Sequence, residues 1–178
     1  MEQLLKKAQE GDEPAFEKLM ESYLDILYNF ILVHVPAAED TQDILQETLL
    51  GVWKSLISYQ SNACFKTWVI AIARRKIADY YRKSYRDKDG ETIDLYALRD
   101  TLETPQYEDR MVDRLIVKKA IGTLSPLEQE LIFLLFQARL SYRDIAAITE
   151  LPMGTVKSKM HAIKNKLKKQ LEEQEGWK

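Results

Sequence analysis

The stretch Ser141 to Leu171, SYRDIAAITELPMGTVKSKMHAIKNKLKKQL, constrains the chain most, because it resolves into two short helices joined by a tight turn. Ser141 can cap the first helix, and Asp144 three residues on can reach back as the second half of a capping box. Ile145, Ala146 and Ile148 supply its buried stripe, and Leu151, Pro152 and Gly154 mark the turn, with Pro152 suited to a helix start. In the second helix Val156, Met160, Ile163 and Leu167 recur at helical spacing on one face. The opposite face carries Ser158, Ala162 and Asn165 with His161 beside them; Lys157, Lys164 and Lys168 flank it on one side, Lys159 and Lys166 on the other. Short central side chains permit close approach to base edges, and lysines at the margins can reach phosphates. The competing interpretation is an ordinary amphipathic helix with a solvated basic face.

Charge distribution supports the first interpretation where net charge does not. The 178 residues carry 26 Lys plus Arg against 28 Asp plus Glu, a net charge of −2, which taken alone argues against a nucleic-acid partner. Acidic residues dominate up to Glu47, basic ones from Lys66 to Lys88, acidic ones again from Asp89 to Asp113, and lysines from Lys157 to Lys169. Such blocks suggest two basic surfaces separated by an acidic connector. No apolar run reaches membrane-spanning length, so no membrane insertion is expected, and the absence of a signal-peptide pattern makes a cytoplasmic chain the expectation. Cys64 is the single cysteine, which excludes an internal disulfide and a cysteine zinc site; it is expected to be a small buried or half-buried residue.

Helical periodicity runs through the chain. A short helix near Leu4 and Leu5 ends at Gly11, and Asp12 caps a longer one with Phe16, Leu19, Tyr23, Leu27 and Phe30 on its buried side. Pro36 breaks it, and the next helix, Ala38 to Ser58, turns Leu45, Thr48, Leu49, Val52, Trp53 and Leu56 inward. Its other face carries Asp40, Asp43, Glu47, Leu50 and Lys54; an apolar Leu50 among carboxylates is more natural at a protein interface than on a solvated acidic face. After the polar stretch Ser58 to Cys64 comes a third long helix, FKTWVIAIARRKIADYYRKSYR, apolar at Val69, Ile70, Ala73, Ile77 and Tyr80. Its Arg75, Asp79 and Arg82 group elsewhere, and basic residues beside Trp68 and Tyr81 are what a single-stranded DNA surface requires, although each ring taken singly fits core packing.

From Asp87 to about Arg110 the periodicity lapses into an acidic stretch with Gly90 and Pro105, expected to be a linker. A second domain begins near Met111 with a helix to about Ile121 that Gly122 is placed to end. Ser125, Pro126 and Glu128 open the helix containing Leu131, Ile132, Leu134, Leu135 and Phe136. The expected fold is therefore all-α: two small helical domains, residues 1–86 and 111–178, joined by a flexible acidic linker at 87–110, the second with a helix-turn-helix.

Four motifs in this order resemble the bacterial RNA polymerase sigma factors of the extracytoplasmic-function group, and the likeness covers nearly all of the chain. They are AEDTQDILQE at Ala38 to Glu47, FKTWVIAIAR at Phe65 to Arg74, DYYR at Asp79 to Arg82, and LSYRDIAAI with MGTVKSKMH in the second domain. The resemblance implies a first domain that grips core RNA polymerase and opens the promoter, and a second that reads the upstream promoter element. It places Asp40, Asp43, Gln46, Glu47 and Leu50 at the family's docking surface for the coiled coil of the largest polymerase subunit. The loop Tyr59 to Ala63, with Tyr59 and Asn62, falls where a flipped-out minus-ten base is pocketed, and Lys66, Arg74, Arg75, Asp79 and Arg82 where the opened strand is contacted. Arg143, Thr155, Lys157, Ser158, Lys159, His161 and Lys164 fall where the family meets minus-thirty-five DNA in the major groove. Promoter DNA and core polymerase are the implied partners, an anti-sigma factor is a further partner that the resemblance allows, and no cofactor is implied.

The chain departs from the family pattern at several positions. Arg75 follows the IAR triplet where asparagine is usual, Ala162 replaces a common arginine, and Lys159 and Lys164 stand where arginine is usual; Lys lacks the bidentate fork that arginine offers guanine. Thr149 and Glu150 occupy the turn where leucine and glycine are typical. The binding mode is thus expected to carry over, and the promoter sequence is not. No GxxxxGK loop is present, and His34 and His161 lie in different expected domains, so no enzyme is expected. Two other classes share some of these features: a freestanding helix-turn-helix regulator acting without polymerase, and a helical protein that controls a sigma factor by mimicry.

Overall fold

The sequence breaks its helices where the backbone can be capped, and the capped segments are what assemble. The computed structural model describes residues 1–35, 37–60, 64–86, 117 and 119–173, apart from the side chains of 85, 86 and 173. The expected linker at 87–110, the start of the second domain at 111–116, the break at Pro36 and Asn62 lie outside the described residues. The described residues are helical and contain no strand, and the chain divides into two units, Met1–Thr92 and Ile93–Lys178.

In the first unit α1 (Glu2–Gln9) ends at Gly11, whose φ of +94° is open to glycine at little cost, and the Asp12 side chain accepts from the Ala15 amide to start α2 (Glu13–His34). Leu19, Tyr23, Leu27 and Phe30 are buried on α2 as their spacing predicts, while Phe16 is half-buried and packs edge-on against Trp53 of α3 (Ala38–Ser55) at 4.9 Å. The inward stripe of α3 differs from the expected one: Thr41 and Ile44 join Thr48 and Val52 in the core, and Leu45, Leu49 and Trp53 are half-buried. Thr41 is inside because its hydroxyl donates to the Val35 carbonyl at 2.6 Å, satisfying a carbonyl at the end of α2 that no helical amide reaches. Tyr81 of α4 (Phe65–Arg86) does the same for the His34 carbonyl, also at 2.6 Å, so Tyr81 is buried and Tyr80 is only half-buried. The helix expected to run to Ser58 gives way to a 3₁₀ turn, Leu56–Ser58, which directs Leu56 inward and leaves Ile57 79% exposed. Cys64 is exposed, contrary to its expected burial, because it stands just before α4 while the adjacent Phe65 enters the core.

The second unit is described from a helical end at 119–122 onward, closed by a turn at Thr123. Ser125 and Glu128 complete a capping box at α5 (Pro126–Ile132), and the Lys166 ammonium adds an ion pair to Glu128 at 3.3 Å. Burial pushes the Glu128 carboxyl up, but the Ser125 amide and hydroxyl and Lys166 outweigh it and hold the carboxyl below the ordinary value. α5 continues into a wider turn, Phe133–Gln137, in which the Ala138 amide bonds to the Phe133 carbonyl at 3.0 Å and Arg139 takes a left-handed conformation. Leu131, Ile132 and Leu134 are buried, Leu135 is half-buried, and Phe136 is left 57% exposed. Ser141 and Asp144 form the expected capping box of α6 (Tyr142–Thr149), whose core residues are Ile145, Ile148 and Thr149; Ala146 is half-buried. Val156, Met160 and Ile163 of α7 (Met153–Glu173) are completely enclosed, and Leu167 is half-buried.

Glu150, between α6 and α7, adopts φ +60°, the left-handed region that disfavours a side chain. Glu150→Gly should therefore stabilise the second unit by about 0.5–1 kcal/mol, the strain relieved being partly offset by added freedom of the unfolded chain. Hydrogen exchange of the α6 and α7 amides should slow by the corresponding factor; unchanged or faster exchange would show that Glu150 is at ease there.

Candidate functional site

The first site is built on the α3–α4 pair. A Cβ added at Gly51 would lie 3.2 Å from Ile72 Cγ2 and 3.3 Å from Lys76 Cε, so glycine lets the two helices approach closely. Two side-chain ties run beside this contact. Lys76 Nζ meets Glu47 Oε2 at 3.0 Å, and the Tyr80 hydroxyl donates to Asp40 Oδ2 at 2.8 Å. The hydrogen bond and charge of Lys76 hold the Glu47 carboxyl below the ordinary range. Burial, then the hydrogen bond to the Asp40 carboxylate, push the Tyr80 phenol up to about 12.

A groove of about 500 Å³ runs along this pair, lined from α3 by Asp43, Ile44, Gln46, Glu47 and Leu50 and from α4 by Lys76, Asp79, Tyr80, Arg82 and Lys83. Leu50 is 52% exposed there, an apolar side chain in a charged rim. The structure therefore brings together most of the residues assigned to docking and two, Asp79 and Arg82, assigned to the opened strand. Asp79 and Arg82 pair with each other at 2.9 Å. Lys76, Tyr80 and Lys83 were not among the candidate residues. The RRK run contained Lys76, but its pairing with a carboxylate 29 residues away is visible only in three dimensions.

The second site is the aromatic corner at the start of α4. Tyr59 lies 4.9 Å from Trp68 and 5.3 Å from Phe65 between ring centroids, and Phe65 lies 5.6 Å from Trp68. Phe65 is buried, whereas Tyr59 and Trp68 are half-buried and keep part of their rings at the surface. Lys66 and Arg74 are half-buried and Arg75 is exposed on the same helix. Rings beside cations can stack bases and hold phosphates.

The third site is the outer face of α7. Lys157, Ser158, His161, Ala162, Lys164 and Asn165 are exposed, Thr155 and Lys159 are half-buried, and Arg143 of α6 is exposed. The Ser158 hydroxyl donates to the Thr155 carbonyl at 3.0 Å, and the Asn165 amide lies 3.1 Å from His161 Nε2, so these polar groups are held in place. Lys166 is occupied elsewhere, by Glu128 and the Thr123 carbonyl, and the Gln170 amide donates to the Thr123 hydroxyl at 2.7 Å; this side of α7 fastens the helix to its own unit.

The sequence matches the family description Sigma-70 region 2 over residues 19–87 and Sigma-70, region 4 over residues 114–167. The chain belongs to the sigma-70 family, in its extracytoplasmic-function group. Among its relatives, the ECF RNA polymerase sigma-E factor of Haemophilus influenzae is 27% identical over 92% of this chain and 93% of its own length. The RNA polymerase sigma-H factor of Pseudomonas aeruginosa is 28% identical over 96% and 93%. The sigma factor RpoE of Bartonella quintana, solved in complex with the anti-sigma factor NepR, superposes with a TM-score of 0.65 at 28% identity, over 88% of this chain and 96% of that one. CnrH, solved with the cytosolic domain of CnrY, shares the fold with a TM-score of 0.66 at 21% identity over 96% of both chains. The chain is an alternative sigma factor that directs promoter-specific transcription, and core RNA polymerase and promoter DNA are its partners.

In this sigma factor Asp40 and Tyr80 tie α3 to α4 at one end of the groove. The folded state holds the phenol protonated up to about 12, against 10.0 for the free group, so the stability this confers is complete below pH 10 and lost as pH rises from 10 to 12. Tyr80→Phe should cost about 1 kcal/mol at neutral pH and flatten the fall in unfolding free energy between pH 10 and 12. A urea series across that interval reads both; parallel slopes for the two proteins would remove the assignment.

Proposed function

We propose that the first unit docks core polymerase through the α3 face and holds the opened minus-ten strand on the aromatic and basic face of α4, while α7 anchors minus-thirty-five DNA. The observation that carries this reading is the groove in which exposed Leu50 is rimmed by Asp43, Gln46 and Glu47. An apolar centre with charged margins is the usual anatomy of a protein interface. The division assigns residues 1–86 to docking and melting, 87–110 to the connector and 111–178 to upstream anchoring.

Strand capture would use Tyr59, Asn62, Lys66, Arg74, Arg75, Asp79 and Arg82. The half-exposed rings of Tyr59 and Trp68 support a stacking role, and the Asp79–Arg82 pair supports a role for those two at the groove margin. In the second unit Arg143, Lys157, Lys159 and Lys164 would take phosphates, and Thr155, Ser158 and His161 would face base edges. The exposed polar centre and lysine margins of α7 support this division. We further propose that the chain works in the cytoplasm and performs no catalysis of its own; no described helix is long and apolar enough to cross a membrane. The Bartonella quintana relative was solved with an anti-sigma factor, which supports a protein partner of that kind here.

Charge reversal at the groove is the direct test. Asp43→Lys with Glu47→Lys should weaken binding to core polymerase by roughly tenfold or more and abolish run-off transcription from a promoter mapped by start-site sequencing, while leaving duplex binding intact. Unimpaired polymerase binding and transcription by the double variant would overturn the assignment of docking to the α3 face. For the second unit, Lys164→Ala should weaken promoter binding about equally on all sequences and lower the slope of log affinity against log salt by about 0.9. A sequence-dependent loss with an unchanged slope would contradict a phosphate role.

A further inference from the structure

We propose that Gln9, in the N-terminal helix α1, is a positioning residue for the surface that receives the opened DNA strand. The inference rests on the assignment of strand capture to Tyr59 and its neighbours. α1 lies outside the segment that matches Sigma-70 region 2, which begins at residue 19, and nothing in that match gives α1 a role.

The Gln9 Nε2 amide donates to the Leu56 carbonyl at 3.1 Å and to the Tyr59 carbonyl at 3.0 Å. A primary amide has two protons, and both are used. The two acceptors bracket the 3₁₀ turn Leu56–Ser58, so one side chain fixes where the turn starts and where the chain leaves it. Tyr59 leaves the turn with its own amide bonded to the Leu56 carbonyl at 3.1 Å and its ring against Trp68 and Phe65. The position of the ring therefore depends on a backbone that Gln9 holds from outside.

The brace is itself fixed independently of the strand surface. Ala8 is buried, the Gly11 amide bonds to the Ala8 carbonyl and the Asp12 amide to the Lys7 carbonyl, both at 3.1 Å, and Asp12 then caps α2. The angle between α1 and α2 is thus set by a glycine-dependent turn and a cap, and Gln9, next to Ala8, is delivered to Leu56 and Tyr59 from a prearranged scaffold. Flipping a base costs a few kcal/mol, so a stacking ring held in advance adds more to capture than one ordered during it.

The test uses the full chain bound to core polymerase and fluorescent forked DNA carrying the minus-ten strand of a mapped promoter, together with a set of forks each lacking one base. Gln9→Glu keeps the length and removes both donors; Gln9→Met does so without adding charge, and Gln9→Lys restores a donor. Wild type should prefer the intact strand over the most damaging abasic strand by on the order of tenfold. Gln9→Glu and Gln9→Met should lose most of that preference, Gln9→Lys should keep part of it, and affinity for core polymerase and for minus-thirty-five duplex should not change. Wild-type preference retained in Gln9→Glu or Gln9→Met, or an equal loss on intact and abasic strands, overturns the inference. Absence of any preference in wild type overturns instead the assignment of strand capture to this surface, and the role of Gln9 with it.

Discussion

The contact on which the first unit depends is the close approach of α3 and α4 at Gly51. A glycine inside a helix costs about 1 kcal/mol relative to alanine, and the reason to accept that cost is visible in Ile72 and Lys76 standing within 3.3 Å of where a Cβ would be. With the helices this close, Lys76 reaches Glu47 and Tyr80 reaches Asp40. These ties set the width of the groove and hold one wall of it relative to the other. The same helix α4 that supplies this wall buries Val69, Ile70, Ala73 and Ile77, so the groove is built on the core and not on a loop.

The second unit reaches comparable definition by different means. Its α5 and α6 are short, of 7 and 8 residues, and short helices gain little from their own backbone bonds. Two capping boxes, at Ser125 and Ser141, close the starts of α5 and α6, while left-handed Arg139 and Glu150 turn the chain after each helix. Both are non-glycine residues in a conformation that glycine adopts freely, so tertiary packing must override the local preference. Ile145, Met160 and Ile163, all completely buried, supply that packing.

Much of this was legible in the sequence. The helical period gave the buried faces of α2, α4 and α7, and cap chemistry placed the starts of α2, α5 and α6. What was hidden involved partners distant in the chain or polar groups in the core. Thr41 and Tyr81 are buried because each satisfies a carbonyl at the end of α2, a role that apolar periodicity does not register. The 3₁₀ turn at Leu56 and the wide turn at Phe133 shift the phase of their helices, which is why Ile57 and Phe136 face outward. Cys64 was misread because composition favours burial of a lone cysteine, whereas its place just before α4 exposes it. Family motifs marked Asp40, Asp43, Glu47 and Asp79; they did not show that Asp40, Glu47 and Asp79 are already paired within the unit.

That pairing decides how the groove can recognise a partner. Glu47–Lys76 and Asp79–Arg82 are exposed or partly exposed ion pairs, and such pairs contribute little net stability, so a partner can replace either bond at small cost. Asp40 differs, because its bond comes from a half-buried phenol and also joins α3 to α4. Its role is therefore more structural than that of Glu47, although both belong to the motif AEDTQDILQE. Under the proposed docking, recognition would fall to Asp43, Gln46 and Leu50 on the exposed side of α3, with Glu47 free to exchange Lys76 for a cation of the partner. A partner presenting an apolar residue beside cations would satisfy Leu50, Asp43 and Glu47, while Lys76, Arg82 and Lys83 give the α4 wall the opposite charge. In the proposed division Asp43 and Glu47 on the α3 wall would face a protein partner, while Arg75 and the aromatic corner of α4 would face the DNA strand, so that one helix pair would serve two partners of opposite charge.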